Sequence, residues 1–171
     1  MSDDKQWKVL FVCTGNICRS PTADAVARQM IAERGLNGLI EVDSAGTQGY
    51  HVGEAPDARA CKIARRRGYD LSPLRARKLE VLDFQRFDLV LAMDAGHMEV
   101  MRKLCPDVYK PRLRMFMDYA HAHPLNEVPD PYYGGDAGFE AVLDYCEDAV
   151  AGLLDALLAA PGVSAMGSLQ A

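Results

Sequence analysis

Two rhythms of apolar residues alternate along the chain: short unbroken runs, and longer stretches with apolar positions three or four apart. Trp7 to Val12, a β-rich apolar run after a charged start, predicts a first strand. From Pro21 to Arg34 the period becomes helical, with Ala25, Val26, Met30 and Ile31 apolar, a proline suited to a first turn, and Gly35 as the stop. Leu39 to Val42 predicts a second strand running into Asp43-Ser44-Ala45-Gly46. Asp57 opens a helix that reaches Arg67 and stops at Gly68. Phe87 to Ala92 predicts a third strand, Ala95 to Leu104 a helix closed by Pro106, and Leu113 to Met117 a fourth strand. Ala122 to Gly135, punctuated by three prolines and two glycines, is a loop. The last helix, Phe139 to Ala159, carries Phe139, Leu143, Cys146, Val150, Leu153 and Leu157 on one stripe, the face expected to lie on a sheet.

Strands that alternate with helices imply an α/β fold: one domain with a four-stranded parallel sheet flanked by helices on both faces. The domain is expected to span residues 1–160, with 161–171 a frayed tail of small and polar residues. In such folds ligands lie at the carboxyl ends of strands, near the switch in strand order. The loop after the first strand is the place that rule indicates.

Composition adds limits. A chain of 171 residues, 49% hydrophobic and 25% charged, can bury a core without staples. Net charge is −5; Arg59 to Lys78 holds eight basic residues against Asp70 alone, and no Lys or Arg follows Arg114. That balance excludes a nucleic-acid binder. Five cysteines (Cys13, Cys18, Cys61, Cys105 and Cys146), an odd count without a secretory leader, point to free thiols in the cytoplasm. Ala149 to Ala160 is apolar but interrupted by Asp155 and too short to span a bilayer.

Candidate chemistry concentrates in Val12-Cys13-Thr14-Gly15-Asn16-Ile17-Cys18-Arg19-Ser20-Pro21. The Cys-to-Arg spacing alone is a weak signal, since Cys61 and Arg67 repeat it inside a predicted helix where no loop can close around an anion. Position distinguishes the first pair. Cys13 ends a strand, Gly15 and Asn16 tolerate the dihedrals of a tight ring, and Pro21 opens a helix. Backbone N–H groups from Thr14 through Gly15, Asn16, Ile17 and Cys18 to Arg19 can then converge on a dianion at the positive end of the helix dipole. Arg19 adds a planar fork for two phosphate oxygens. The same field favours the thiolate of Cys13, to which Ser20 can donate a hydrogen bond. A nucleophile at the base of an anion site favours attack on phosphorus.

Displacement from a phosphate ester also needs a proton for the leaving oxygen. Asp130, in Pro129-Asp130-Pro131-Tyr132-Tyr133-Gly134-Gly135, is the best candidate, with restricted backbone on both sides and two tyrosines beside it.

Taken together these residues resemble the low-molecular-weight protein tyrosine phosphatases, over about residues 7–158. Val-Cys-Thr-Gly-Asn-Ile-Cys-Arg-Ser-Pro-Thr-Ala, Asp43-Ser44-Ala45-Gly46-Thr47 and Asp130-Pro131-Tyr132-Tyr133 occur in the family's order. The resemblance implies a flavodoxin-like fold and a tyrosine-phosphorylated protein as substrate, with phosphate or another oxyanion in the loop and no metal or cofactor. It implies a phosphocysteine on Cys13, a phosphate clamp in Arg19, a thiolate partner in Ser20, and Asp130 as general acid and then base. Asn16 and Ser44 match a pair that holds the loop in shape, and Cys18 matches a cysteine that forms a reversible disulfide with the nucleophile. Where eukaryotic members often carry a supporting histidine, this chain has Pro73.

Rival readings remain open. Protein arginine phosphatases of the superfamily carry threonine where Ile17 stands, and arsenate reductases need two further clustered cysteines, for which Cys61, Cys105 and Cys146 are too dispersed. A non-catalytic phosphate-binding module has no use for Cys13 or Asp130. Tyr50, Tyr132 and Tyr133 are expected to wall a slot for an aromatic ring, favouring tyrosine. His51 is placed near the mouth of that slot. Arg65-Arg66-Arg67 reads first as a solvated helix face, His121-x-His123 as a weak metal motif, and the methionines from Met93 to Met117 as core filler.

Overall fold

β1 (Trp7–Cys13) takes the middle of the sheet because both of its faces are apolar, and only Lys8 along it is exposed. A computed structural model describes residues 6–160, in which β2 (Ile40–Gly46), β3 (Leu89–Ala92) and β4 (Leu113–Met115) join β1 in one parallel sheet. The strand order is β2-β1-β3-β4. The order therefore reverses between β1 and β3, and the crevice that this reversal opens lies at their carboxyl ends. The expected tail, 161–171, lies outside the described residues.

Alternation along β1 divides the core into two layers. Val9, Phe11 and Cys13 face α1 (Arg19–Glu33) and α5 (Asp136–Ala159), and Phe11 meets Phe116 edge to face at 5.4 Å. Leu10 and Val12 face the other way, onto Phe84 in α3 (Asp83–Arg86) and Met98 and Met101 in α4 (Ala95–Leu104). α2 (Ala58–Arg66) packs beside α5. The six stripe residues of α5, Phe139 through Leu157, are all buried, each large apolar side chain contributing about 1.5–3 kcal/mol.

The observed elements differ from expectation in ways that bear on the site. α1 starts at Arg19, two residues before Pro21, so Arg19 and Ser20 already belong to its first turn. Pro21 is tolerated there because first-turn amides have no intrahelical partner to lose. β2 extends through Ser44 to Gly46 in register with β1, beyond the expected end at Val42. β3 begins at Leu89 instead of Phe87, and β4 stops at Met115, the chain turning into a 3-10 turn at Phe116–Tyr119. α5 begins at Asp136, three residues before the expected Phe139. α3 and a 3-10 segment at Asp107–Arg112 had no counterpart in the pattern, being too short to display a period.

Gly152 shows how closely α5 is seated. A Cβ at that position would overlap the carbonyl oxygen of Tyr119. Alanine would gain about 1 kcal/mol of helix propensity, but overpacking against immovable backbone costs about 1–3 kcal/mol and here should exceed the gain. Gly152→Ala is therefore expected to lower the thermal midpoint by several degrees. Calorimetry showing an unchanged or raised midpoint would contradict this packing.

Candidate active site

Cys13 ends β1 opposite Gly46 of β2, and the chain then turns through a ring of residues into α1. Two amides from beyond β2 brace the ring: Thr47 N–H donates to Cys13 O at 2.8 Å and Gln48 N–H to Thr14 O at 2.9 Å. That approach requires Gly46, where a Cβ would meet Thr14 O at 2.6 Å. Asn16 has φ of 60°, the left-handed conformation that asparagine tolerates better than most residues.

Asn16 is buried, and its side chain has a partner at every turn. Its Nδ2 donates to Ser20 Oγ at 2.8 Å and Ser44 Oγ at 2.9 Å, while its Oδ1 accepts the backbone N–H of Arg77 at 2.9 Å. Arg77 is held in turn by carboxylates of Asp43 and Asp83. Asn16 is thus braced by the backbone amide of Arg77, four residues beyond Pro73. Ser20 Oγ, already accepting from Asn16, lies 2.9 Å from Cys13 Sγ and 3.5 Å from Ala45 O, so its one proton can serve the sulfur or that carbonyl. Cys13 is 2% exposed, so this contact is shielded from solvent.

Arg19 is 3% exposed, a depth at which a guanidinium needs a fixed counter-charge. Its Nη1 donates to Asp94 Oδ2 at 2.8 Å and to Val128 O at 3.0 Å. Its Nη2 lies 3.8 Å from Asp130 Oδ2. Asp94 also caps α4 by accepting the His97 amide at 3.0 Å. Burial works against the charge on Asp94, but the His97 amide and Arg19 outweigh it and hold its carboxyl below the usual range. The Asp94 amide donates to His97 Nδ1, which leaves the ring proton on Nε2, facing Thr14 Oγ1 at 2.7 Å. Burial first, and the charge of Arg19 second, push His97 down to about 4.

The geometry gathers Cys13, Ser20, Asn16 and Ser44 into one hydrogen-bonded group and Arg19, Asp94, His97 and Thr14 into another, with Asp130 at the edge of the second. Asp130 is half-exposed and its Oδ1 accepts the Tyr132 amide at 3.1 Å. Its loop is pinned to the strand ends by Val128 N–H on Met93 O at 2.8 Å and by Glu127 on the Ala95 amide at 2.7 Å. Tyr132 and Tyr133 meet edge to face at 5.0 Å; Tyr133 and Tyr50 are largely exposed. Gly15 lies under His51, whose Cδ2 would be 2.9 Å from an added Cβ. Ile17 and Cys18 are buried, and burial, then the charge of Asp57, push the Cys18 thiol up.

A sequence profile described as low molecular weight phosphotyrosine protein phosphatase matches residues 8–161. The chain belongs to that family. It is 48% identical over 154 residues to the low molecular weight protein-tyrosine-phosphatase of Streptomyces coelicolor, covering 88% of this chain and 93% of that one. It is 36% identical over 148 residues to the human low molecular weight phosphotyrosine protein phosphatase, covering 85% and 92%. The crystal structure of a protein tyrosine phosphatase from Entamoeba histolytica with Hepes in the active site superposes with a TM-score of 0.87 at 40% identity, over 90% of this chain and 97% of that one.

Within this low molecular weight phosphatase domain, other sequence features have structural partners. Cys61 and Arg67 lie along and just after α2, and Arg67 joins Glu140, Asp144 and Glu147 of α5. Arg65 and Arg66 are exposed. His123 pairs with Asp148 at 2.8 Å, and the described residues contain no cluster of metal-ligating side chains. Pattern reading passed over Asp94, His97, Arg77 and Arg59. Asp94 had a usable signal, since it stands just beyond a strand end at the reversal of strand order.

His97 is expected to stay neutral across the physiological range. Between pH 6.5 and about 4 the unfolded chain binds a proton that the folded His97 refuses, so stability should fall with pH across that window and level off below it. Urea titrations at pH 7, 5.5 and 4.5 should show a shallower decline for His97→Asn than for the parent. Equal declines would remove His97 as a source.

Proposed function

We propose that Cys13, Arg19, Ser20 and Asp130 carry the phosphotyrosine phosphatase activity of this chain by double displacement through a phosphocysteine. The observation that carries the reading is the buried 2.9 Å contact of Cys13 Sγ with Ser20 Oγ, at the floor of a loop whose Arg19 also faces Asp130. In this reading the amides of Thr14, Gly15, Asn16, Ile17, Cys18 and Arg19 bind the three peripheral oxygens of the phosphoryl group. Cys13 attacks phosphorus, and Asp130 gives its proton to the leaving tyrosyl oxygen. Asp130 then takes a proton from the water that releases phosphate, and Ser20 steadies the sulfur as leaving group. Ser44 and Asn16 hold the ring in the shape that the transition state needs.

The substrate is a tyrosine-phosphorylated protein, and small aryl phosphates are turned over at the same site. Ile17 in the loop and the ring surfaces of Tyr50, Tyr132 and Tyr133 support an aromatic ester over phosphoarginine or arsenate. The reading needs no metal or cofactor. Residues 1–160 act as one domain, supported by the family match over 8–161. The place of action is the cytoplasm, on the strength of the odd cysteine count. Among the described residues no helix is long and apolar enough to cross a membrane. Cys18 serves as a redox guard that captures oxidised Cys13 as a disulfide.

Cys13→Ser is expected to abolish turnover of p-nitrophenyl phosphate while inorganic phosphate still binds. Asp130→Ala should slow phenyl phosphate, a poor leaving group, by about 10²-fold and p-nitrophenyl phosphate much less. Equal slowing of both would reject Asp130 as the acid. After peroxide treatment, thiol should restore the parent enzyme and restore Cys18→Ser only in part; equal recovery would remove the guard role.

A further inference from the structure

A chain of short contacts joins the phosphate loop to the loop that bears Asp130, and Arg59 is its central link. Asp57 N–H donates to Ile17 O at 2.8 Å, anchoring the start of α2 on the phosphate loop. The Asp57 carboxylate receives Arg59 Nε at 3.1 Å and Nη2 at 3.0 Å. From the same guanidinium, Nη2 reaches Tyr132 O at 2.9 Å and Nη1 reaches Gly134 O at 3.3 Å. Its flat face lies 4.6 Å from the Phe139 ring, which is 4% exposed, and 5.5 Å from that of Tyr132. One planar cation thus clasps the phosphate loop's neighbour on one edge and two carbonyls of the Asp130 loop on the other, while stacked on a fixed ring.

We infer that Arg59 is a positioning residue for the general acid. It touches neither phosphate nor leaving group, but sets the distance from the Asp130 loop to the phosphate loop. The inference rests on the proposed role of Asp130. Pro129 and Pro131 stiffen the backbone at Asp130 but do not attach it to anything. The attachments that do are Glu127 and Val128 before Asp130, Arg19 at Asp130 itself, and Arg59 on the far side of it. A lysine keeps the charge but lacks the fork, so it can satisfy Asp57 or the carbonyls, not both together.

The test compares Arg59→Lys and Arg59→Gln with the parent on phenyl phosphate and p-nitrophenyl phosphate, with inorganic phosphate as competitive inhibitor. A misplaced acid is expected to lower kcat on phenyl phosphate by about tenfold and on p-nitrophenyl phosphate by less, with phosphate inhibition unchanged. In an Asp130→Ala background the same substitutions should cost nothing further on phenyl phosphate. Equal losses on both substrates, weakened phosphate inhibition, or losses that multiply with Asp130→Ala would overturn the inference and leave the phosphatase reading standing. A lowered thermal midpoint with unchanged leaving-group dependence would show Arg59 to be structural only, and would overturn it too. Failure of the parent to hydrolyse either ester would overturn both.

Discussion

A buried guanidinium governs this structure. Arg19 stands on the first turn of α1, almost wholly out of water, and an unpaired charge at that depth would cost several kcal/mol. The chain answers with Asp94, which it can place there only because β3 lies beside β1 and ends at the same edge. Asp94 is in turn fixed by its amide contacts at the start of α4, and His97 closes the circuit back to Thr14. Compensating one charge therefore ties the ends of β1 and β3 to the loop that carries Val128. It also leaves Arg19 with one nitrogen committed to protein and the other directed toward Thr14 and Asp130. A guanidinium held this way has little freedom left to rearrange.

The second constraint is backbone shape. A ring that points successive amides inward needs one residue in the left-handed region, a conformation that costs about 1 kcal/mol or more for most side chains. Asn16 lowers that cost through three hydrogen bonds drawn from α1, β2 and the Arg77 segment. Its bond to Ser20 also fixes the serine oxygen beside Cys13, so one amide side chain braces both the ring and the nearest neighbour of the sulfur.

Much of this was legible in the chain. The alternation of runs and helical stretches disclosed four strands, their parallel arrangement and the loop after β1, because buried parallel strands and amphipathic helices leave strong periodic traces. Cys13, Arg19, Ser20 and Asn16 lie within eight residues of one another, so their meeting needs only local structure. Asp94 and Arg77 reach the site through strand pairing and a bridge beside Gly46, long-range events without local periodicity. Arg59 lies ahead of Arg65-Arg66-Arg67, the run that reads as a solvated face, and its carbonyl partners at Tyr132 and Gly134 are 73 and 75 positions away, where no local pattern reaches. Short elements such as α3 and the 3-10 turns were invisible for a simpler reason: four to six residues span at most about two turns, too few to show a recurring pattern.

The register of β1 bears on how the molecule opens. Its last residue, Cys13, pairs with Gly46 of β2, while Val9 to Val12 are paired on both sides, with β2 and β3. A central strand of this kind opens only when most of the domain opens. The loop that bears Asp130 and the Arg77 segment that braces Asn16 lie outside that strand, so either can open locally while β1 keeps its pairing.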